Sequence, residues 1–294
     1  MKNTLVLLSN PARPTLDSGI VQAAVEILRA GGAKVGTPDW LAPDVACDIP
    51  FEGRALPSLG MTGIDAVFVA GEGRRKKLLV ADMESTIIEN EMLDELAEFL
   101  GLRERVAAIT ARAMNGEIDF AAALKERVGL LRGLAVAKLD EAARRIRYTP
   151  GGATLVATMK QHGAYCALVS GGFTHFTRMV AAALGFDFDS ANVLMHDGKA
   201  LAGTVEPPIL GKEAKLATLR HLSSSRGFAT ADAVTVGDGA NDVPMLKEAG
   251  LGVAFHAKPA VAAEVAAGLD HCDLTGLLYL QGYRRSEFVE RKEP

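Results

Sequence analysis

The sequence has few of the features that mark secreted, disulfide-rich or nucleic-acid-binding proteins. Only three cysteines occur among 294 residues, far apart and never spaced as CxxC. Neither a disulfide framework nor a structural zinc site is therefore indicated, and we expect the chain in the reducing cytosol. With 32 Lys and Arg against 36 Asp and Glu, the net charge is only -4. The basic stripe that a nucleic-acid binder normally uses is not predicted.

Long apolar runs are also missing from the sequence. The N-terminal apolar stretch ends at Asn10 and Pro11, which is too short for a secretory signal. No segment approaches the roughly 18 uninterrupted apolar residues that span a bilayer, so we expect no membrane contact. The nucleotide-binding patterns GxxxxGK[ST] and GxGxxG do not occur, which disfavours nucleoside triphosphates and dinucleotides as ligands.

The first part of the chain, residues 1–72, has the pattern of a small α+β domain. A strand is predicted over 4–9 and a helix over 16–30. The stretch GEGRRKK that follows combines glycines with a basic run beginning at Arg74. This composition predicts a solvated linker, because the alternative of a phosphate or nucleic-acid contact lacks interleaved aromatics.

The remainder, residues 73–294, alternates short buried runs with helical periods. Near-continuous apolar runs are typical of parallel strands that are covered on both faces. The fold class predicted is therefore α/β, with a doubly wound, Rossmann-like parallel sheet. The runs that carry this prediction are LLVAD, AYCALVS, AVTVGD and LGVAF.

Two segments interrupt the alternation. Residues 89–150 show helical spacing throughout, which predicts a helical insertion between the first strand of the sheet and the rest. Further on, ANVLMHDGKALAGTV alternates around Asp197 and Gly198, which predicts a hairpin with a two-residue turn.

The first candidate site is the acid pair of DMEST. Asp82 and Glu84 follow the apolar run LLVA, so in an extended chain their side chains point to one side where the strand ends. Such a pair can divide labour, one carboxylate attacking or binding a metal and the other transferring a proton. The alternative is a helix N-terminus, with Asp82 or Ser85 as the cap.

The second candidate site is GDGANDVPM, directly after the predicted strand AVTV. Asp238 and Asp242 offer two hard oxygen ligands within one turn, as magnesium requires. The alternative is an ordinary strand-to-helix turn with Asn241 as the cap. An EF-hand loop is not predicted, because the oxygen ligands do not recur at alternate positions.

Two weaker signals complete the set. LVSGG ends a predicted strand, and Ser170 with the amide of Gly171 could bind phosphate oxygens at the start of the next helix. Lys215, in GKEAKLATL, lies in a predicted helix, where a lysine is ordinarily a solvated surface residue.

In this order, the four pieces resemble the motifs of the haloacid dehalogenase (HAD) superfamily, namely DxDx[TV], a Ser or Thr after the second strand, a Lys, and GDxxxD. The insertion after the first motif resembles the small helical cap of one subclass. The segments DMESTIIENEMLDELA and GEIDFAAALKERVGLL are similar to those of the phosphoserine phosphatase family within it. The resemblance covers residues 73 to about 282.

The resemblance implies hydrolysis of L-phosphoserine to L-serine and phosphate, the last step of serine biosynthesis, by a Mg²⁺-dependent phosphoric monoester hydrolase. Asp82 would be the nucleophile that forms an aspartyl-phosphate, and Glu84 the general acid and base. The metal would be held by Asp82, the carbonyl of Glu84, Asp238 and Asp242. The phosphoryl group would be bound by Ser170, Gly171, Lys215 and Asn241.

The cap would supply selectivity. Arg127 would pair with the substrate carboxylate and Glu91 would accept from its ammonium, while Met114 and Phe120 would form an apolar lid. On helical periodicity alone, Glu91 is a first-turn acid and Arg127 an exposed helix charge.

One residue departs from the family pattern, and two alternatives stay open. The usual second acid is Asp, whereas this chain has Glu84, whose extra methylene displaces the carboxyl group by about 1 Å. A HAD phosphatase or phosphotransferase acting on another small phosphomonoester is the nearer alternative, and a non-catalytic amino-acid or phosphate sensor the more distant one. The N-terminal domain is similar in position to an ACT-like domain, and we expect it to serve a structural role or form a homodimer.

Overall fold

The computed structural model describes residues 1–54, 60–114 and 117–294, with Met114 described in its backbone only. Within these ranges, no helix has both the length and the apolar character needed to cross a membrane.

The N-terminal part forms an antiparallel sheet covered on one face by a helix. The strands have the order β2-β4-β1-β5, and β3 pairs with β4. The helix begins where the carboxylate of Asp17 accepts the amide of Ile20 at 2.8 Å, so it starts slightly later than predicted. The elements are β1 (Asn3–Leu8), α1 (Ser18–Ala30), β2 (Lys34–Val35), β3 (Asp39–Ala42), β4 (Ala46–Glu52) and β5 (Asp65–Ala70).

The rest of the chain contains a six-stranded parallel sheet, a helical insertion and a hairpin. Its elements are β6 (Leu78–Ala81), α2 (Met92–Glu98), α3 (Arg103–Met114), α4 (Phe120–Gly129), α5 (Ala137–Ala143), α6 (Gly152–Gln161), β7 (Tyr165–Phe173), α7 (Thr174–Leu184), β8 (Phe188–Asn192), β9 (Leu194–His196), β10 (Leu201–Val205), α8 (Lys212–Ser225), β11 (Ala233–Gly237), α9 (Val243–Glu248), β12 (Leu251–Phe255), α10 (Pro259–Ala262), β13 (Ala267–Leu269) and α11 (Gly276–Leu280).

The parallel sheet confirms the predicted fold class and fixes where a site can form. Its strand order is β13-β12-β11-β6-β7-β8. The chain thus adds β7 and β8 on one side of β6 and then β11, β12 and β13 on the other. In open α/β sheets such a reversal of strand order leaves a crevice at the carboxyl ends, where ligands bind. β6 is buried along its whole length, as its uninterrupted apolar sequence predicted.

The helical insertion lies between β6 and β7, as predicted, and consists of α2 to α5. The hairpin of β9 and β10 is confirmed, but its two-residue turn is wrong: His196 pairs with Leu201, which leaves a four-residue connection. The carboxylate of Asp197 accepts the amides of Lys199 and Ala200, each at 2.8 Å. This side-chain turn stabilises the longer connection.

The hairpin is joined to the insertion through backbone hydrogen bonds. The amide of Gly133 donates to the carbonyl of Leu201 at 2.9 Å, and the amide of Val136 to that of Lys199 at 2.8 Å. The hairpin therefore packs as an extension of the helical insertion.

The linker between the two sheets is less solvated than predicted. The side chain of Arg74 is only 11% exposed and pairs with Asp48 of β4. It also donates to the carbonyls of Tyr279 at 2.8 Å and Leu280 at 3.0 Å. The prediction of a solvated linker rested on the charges of the basic run, and sequence alone does not show which groups those charges bind. Here a guanidinium with several donors joins the N-terminal sheet to the C-terminal helix.

Candidate active site

Asp82 lies at the carboxyl end of β6, in the crevice between β7 and β11. It is 5% exposed. One carboxylate oxygen accepts the amide of Met83 at 2.7 Å, and the other lies 2.8 Å from Nζ of Lys215. Burial and the charge of Asp242 raise the pKa of Asp82, and Lys215 opposes the rise. The carboxylate is thus fixed in position, and Lys215 favours its ionised form.

Lys215 is a buried lysine in the first turn of α8. It is 2% exposed, so the interpretation as a solvated surface residue does not hold. Its ammonium group bridges Asp82 and Asp242, lying 2.6 Å from Oδ1 of the latter. Burial lowers the pKa of Lys215, but these two carboxylates outweigh burial and raise it. The site therefore contains a permanent cation.

The loop after β11 brings two more carboxylates to the same place. Ligand oxygens of Asp82, Asp238 and Asp242 all lie within 4.8 Å of one another. Asp242 also accepts the amide of Gly239 at 3.0 Å, and it is itself the N-cap position of α9, so Asn241 does not take that position. Burial and the charge of Asp242 raise the pKa of Asp238 to about 6. Three crowded acids with one lysine retain an excess of negative charge, which a divalent cation would balance.

Glu84 lies beside this cluster. The alternative interpretation of DMEST as a helix N-terminus does not hold, because the next helix begins only at Met92. However, Glu84 Oε1 does accept the amide of Met92 at 2.9 Å. Burial and the nearby charge of Glu91 raise the pKa of Glu84 to about 8. The side chain consequently carries a proton near neutral pH, which is the state required of a general acid.

The carboxyl end of β7 supplies hydroxyl and amide groups. Ser170 is 2% exposed, and its Oγ accepts the amide of Gly172 at 2.9 Å. That bond occupies a lone pair, which leaves the hydroxyl proton to be donated elsewhere. A Cβ placed on Gly172 would lie 2.6 Å from Oε2 of Glu84. Gly172, whose amide binds Ser170, therefore lies directly against Glu84 at the adjacent strand end.

The insertion covers the crevice with two charged residues. Glu91, the N-cap position of α2, accepts the hydroxyl of Ser85 at 2.7 Å. Arg127 of α4 is half-buried and donates to Thr110 Oγ1 at 3.4 Å. Burial lowers the pKa of Arg127, while the charges of Glu84, Glu91 and Asp94 oppose that shift. Arg127 is thus partly buried among the charges of Glu84 and Glu91, unlike the exposed helix charge that periodicity suggested, whereas Glu91 is exposed at the start of α2.

The expected apolar lid is only partly described. The ring of Phe120, at the start of α4, packs on Gly171, where a Cβ would lie 3.2 Å from the ring. It also packs near Gly211, the N-cap of α8. The side chain of Met114 lies outside the described residues.

Sequence reasoning missed the roles of two residues in this region. Ser85, considered only as a possible helix cap, adopts φ +54°, which is unusual for a residue with a side chain, and its bond to Glu91 joins the first motif to the insertion. Asn192 is 1% exposed and hydrogen-bonds to Gly171. Neither role had a signal in the sequence, because no strand is predicted to end at Asn192 and no local pattern indicates a positive φ at a serine.

The chain is similar to known proteins in sequence and in fold. The family model for haloacid dehalogenase-like hydrolases matches residues 79–247. A "Phosphoserine phosphatase" of Streptomyces coelicolor is 43% identical over 230 residues, which are 76% of this chain. The match is 55% of that relative, so the chain spans little more than half of the relative's length.

Two solved structures extend the comparison. A HAD family hydrolase of Salmonella enterica serovar Typhi superposes with a TM-score of 0.83 at 27% identity, covering 95% of this chain and 98% of its own. This match includes the N-terminal sheet. A structure described as a phospho-aspartyl intermediate analogue of phosphoserine phosphatase has a TM-score of 0.65 at 39% identity, covering 70% of this chain and 98% of its own.

Proposed function

We propose that this chain, which belongs to the haloacid dehalogenase-like hydrolase family, hydrolyses L-phosphoserine to L-serine and phosphate. The observation that carries the proposal is the buried cluster in which Lys215 joins Asp82 to Asp242, with the charges of Glu91 and Arg127 above it. The cluster suits phosphoryl transfer, and the two charges of opposite sign suit a zwitterionic substrate. The names of the relatives support the same substrate.

Asp82 would act as the nucleophile. Its carboxylate is held from both oxygens, so little reorganisation precedes an in-line attack on phosphorus. The attack forms an Asp82–phosphorus bond and breaks the bond from phosphorus to the serine oxygen. Glu84, protonated at neutral pH, donates its proton to that leaving oxygen. As a carboxylate it then takes a proton from the water that hydrolyses the aspartyl-phosphate.

The acidic cluster fits Mg²⁺. Its donors are hard carboxylate oxygens. Burial first, and then the like charge of Asp242, raises the pKa values of Asp82 and Asp238, and a bound dication would relieve that repulsion. We assign the metal to Asp82, Asp238, Asp242 and the backbone carbonyl of Glu84. When bound, the cation would neutralise charge on the transferring phosphoryl group.

Four groups of this chain would bind the phosphoryl oxygens and position the substrate. The hydroxyl of Ser170 and the ammonium of Lys215 are the donors that the chain holds in place, and the amide of Gly171 adds a third. Asn241 lies in the same loop as Asp238 and Asp242 and would contribute from there. Phe120 would exclude water above Gly171.

Recognition of the amino acid would come from the insertion. Arg127 would form a bidentate pair with the substrate carboxylate, and Glu91 would accept from its ammonium group. Replacement of Arg127 by Ala would remove a charged hydrogen-bonding partner that contributes about 1.5–3 kcal/mol. That corresponds to a loss of about 10- to 100-fold in kcat/KM for L-phosphoserine.

Phosphate release from a panel of phosphomonoesters tests the proposal. The panel holds L-phosphoserine, phosphothreonine, phosphohomoserine and a sugar phosphate, each with Mg²⁺ or with EDTA, and Asp82→Asn is the inactive control. Metal-dependent release, fastest with L-phosphoserine, is the expected result. Faster release from another ester would leave the chemistry intact and refute the substrate, whereas release from none would favour the sensor alternative.

Arg127→Ala in the same panel separates recognition from chemistry. Arg105→Ala is the matched control, because Arg105 is exposed on α3 of the same insertion. The Arg127 variant should lose activity on L-phosphoserine and keep it on the sugar phosphate. Undiminished activity on L-phosphoserine would refute the role of Arg127.

The remaining assignments concern the N-terminal sheet and the compartment. The bonds of Arg74 to Asp48 of the N-terminal sheet and to the carbonyls of Tyr279 and Leu280 in α11 support a structural role for the N-terminal part, which we propose to be an ACT-like domain over 1–72 that would also mediate a homodimer. The three cysteines are buried and unpaired, which supports an assignment to the cytosol.

A further inference from the structure

Asn192 is a buried amide that lies between two loops of the site. It ends β8 and is 1% exposed. Its Nδ2 donates to the carbonyl of Gly171 at 2.8 Å and to that of Leu210 at 3.3 Å. Its Oδ1 accepts the amide of Leu210 at 2.8 Å. The side chain therefore makes three hydrogen bonds, all to the backbone.

The bond to Gly171 fixes one peptide plane from both ends. Asn192 holds the carbonyl of the Gly171–Gly172 peptide, and the amide of the same peptide donates to Ser170 Oγ at 2.9 Å. Glycines impose little conformational restraint of their own, so an external partner must hold this plane. Through it, Asn192 sets the direction in which the Ser170 hydroxyl can donate.

The two bonds to Leu210 act on the other phosphate-binding element. Leu210 directly precedes Gly211, the N-cap of α8, and Lys215 lies in the first turn of that helix. The carboxamide donates to the carbonyl of Leu210 and accepts from its amide, as a residue of a neighbouring antiparallel β-strand would. They fix the start of α8 relative to the end of β7.

We propose that Asn192 is a positioning residue that sets the distance between the Ser170–Gly171 donors and Lys215. One rigid amide connects the two loops, so the donors on β7 and the ammonium group on α8 stay in register for the same phosphoryl group. The inference rests on the proposed phosphatase function but concerns the phosphate subsite alone. Displacements of about 1 Å at such donors lower rates by about 100-fold.

The test compares two variants of the full chain. Asn192→Asp is nearly isosteric and keeps the acceptor for Leu210, but it cannot donate to the two carbonyls when ionised. Asn192→Ala removes all three bonds. Thr154→Val is the matched control, since Thr154 is also buried and bonds both backbone groups of Arg291, in the C-terminal tail. It should lower the melting temperature without touching the phosphate subsite.

Binding of inorganic phosphate and of L-serine, each measured by calorimetry with Mg²⁺ present, supplies the readout. We expect both Asn192 variants to weaken phosphate binding at least tenfold and leave L-serine binding within twofold. kcat for L-phosphoserine should fall at least tenfold at a temperature where each variant is folded. A merely structural residue would lower the melting temperature and leave these constants unchanged, as Thr154→Val should.

The outcomes separate this inference from the proposed function. Wild-type phosphate affinity and kcat in Asn192→Asp would overturn the positioning role while phosphoserine turnover stands. Failure of the unmodified chain to hydrolyse L-phosphoserine would refute the function. The positioning role of Asn192 would then still be tested by comparing the phosphate affinity of its variants with that of the unmodified chain. If the unmodified chain hydrolyses L-phosphoserine but binds no measurable inorganic phosphate, the function stands, and an unchanged kcat in both Asn192 variants would overturn the positioning role.

Discussion

Replacing the buried lysine by methionine tests how the charges of the site are balanced. Lys215→Met keeps most of the side-chain volume and removes the cation between Asp82 and Asp242. Both carboxylates are nearly inaccessible to water, at 7% and 0% side-chain exposure. Removing one partner of a buried ion pair costs about 3–5 kcal/mol. For a protein of this size that is a fall of about 6–20 °C in melting temperature, at about 2–4 °C per kcal/mol.

The effect should depend on pH in a defined direction. Without Lys215, the folded-state pKa of Asp82, already raised by burial and by Asp242, rises further above its unfolded value. A carboxyl group with a raised folded pKa contributes stability below its unfolded pKa, and that contribution is lost as pH rises through the folded pKa. The difference in melting temperature between Lys215→Met and the unmodified chain should therefore be larger at pH 8 than at pH 5.

The assay is thermal unfolding in EDTA at several pH values, with Lys212→Met as the control. Lys212 is in the same turn of α8, but its side chain is 61% exposed, so its loss should change stability by no more than about 0.5 kcal/mol. If the melting temperature of Lys215→Met fell by less than about 3 °C, and by no more than that of the control, the inferred charge balance would be refuted. A larger loss at pH 5 than at pH 8 would do the same.

Three further predictions follow from close contacts elsewhere. Gly172→Ala should displace the Glu84 carboxylate and lower kcat at least about tenfold. Gly129→Ala is the control and should leave kcat unchanged, because a Cβ at Gly129 meets nothing within 4 Å. Equal kcat values for the two variants would show that Gly172 does not set the position of Glu84. Arg74→Met should lower the free energy of unfolding by about 3–5 kcal/mol, as measured by denaturant titration. The same substitution should cost less in a chain that already carries Asp48→Asn. Burial raises the pKa of all three cysteine thiols, to about 12 for Cys47 and Cys166, so a disulfide reagent at pH 8 should label none of them until the chain unfolds; labelling of the folded chain would contradict this.

The four central strands of the parallel sheet, β12, β11, β6 and β7, and the acids at the ends of β6 and β11 could be predicted from sequence because both depend on local patterns, whereas the edge strands β8 and β13 were not predicted. Uninterrupted apolar runs identify buried parallel strands, and a polar residue directly after such a run must lie at the carboxyl edge. Asp82, Ser170 and Asp238 all follow this rule. Because β7, β6 and β11 are neighbours in the sheet, these side chains lie close together regardless of the conformation of the loops.

The partners of long charged side chains could not be predicted in this way. Lys215 and Arg74 both belong to polar stretches that are typical of solvated surface. Their burial depends on which carboxylates another part of the fold brings within reach, Asp82 and Asp242 for the first and Asp48 for the second. Sequence spacing contains no such information, since the partners are far away along the chain.

Glu84 shows how packing accommodates a departure from a family pattern. The extra methylene, relative to the usual Asp, moves the carboxylate toward the insertion, where the amide of Met92 binds it at 2.9 Å. Gly172 leaves the space that the longer side chain needs. The acid is therefore held by α2 of the insertion as well as by β6, so movement of the insertion would also move the proton donor. The substrate recognition that we propose for Glu91 and Arg127 and the proton transfer that we propose for Glu84 would therefore both depend on the position of the helical insertion.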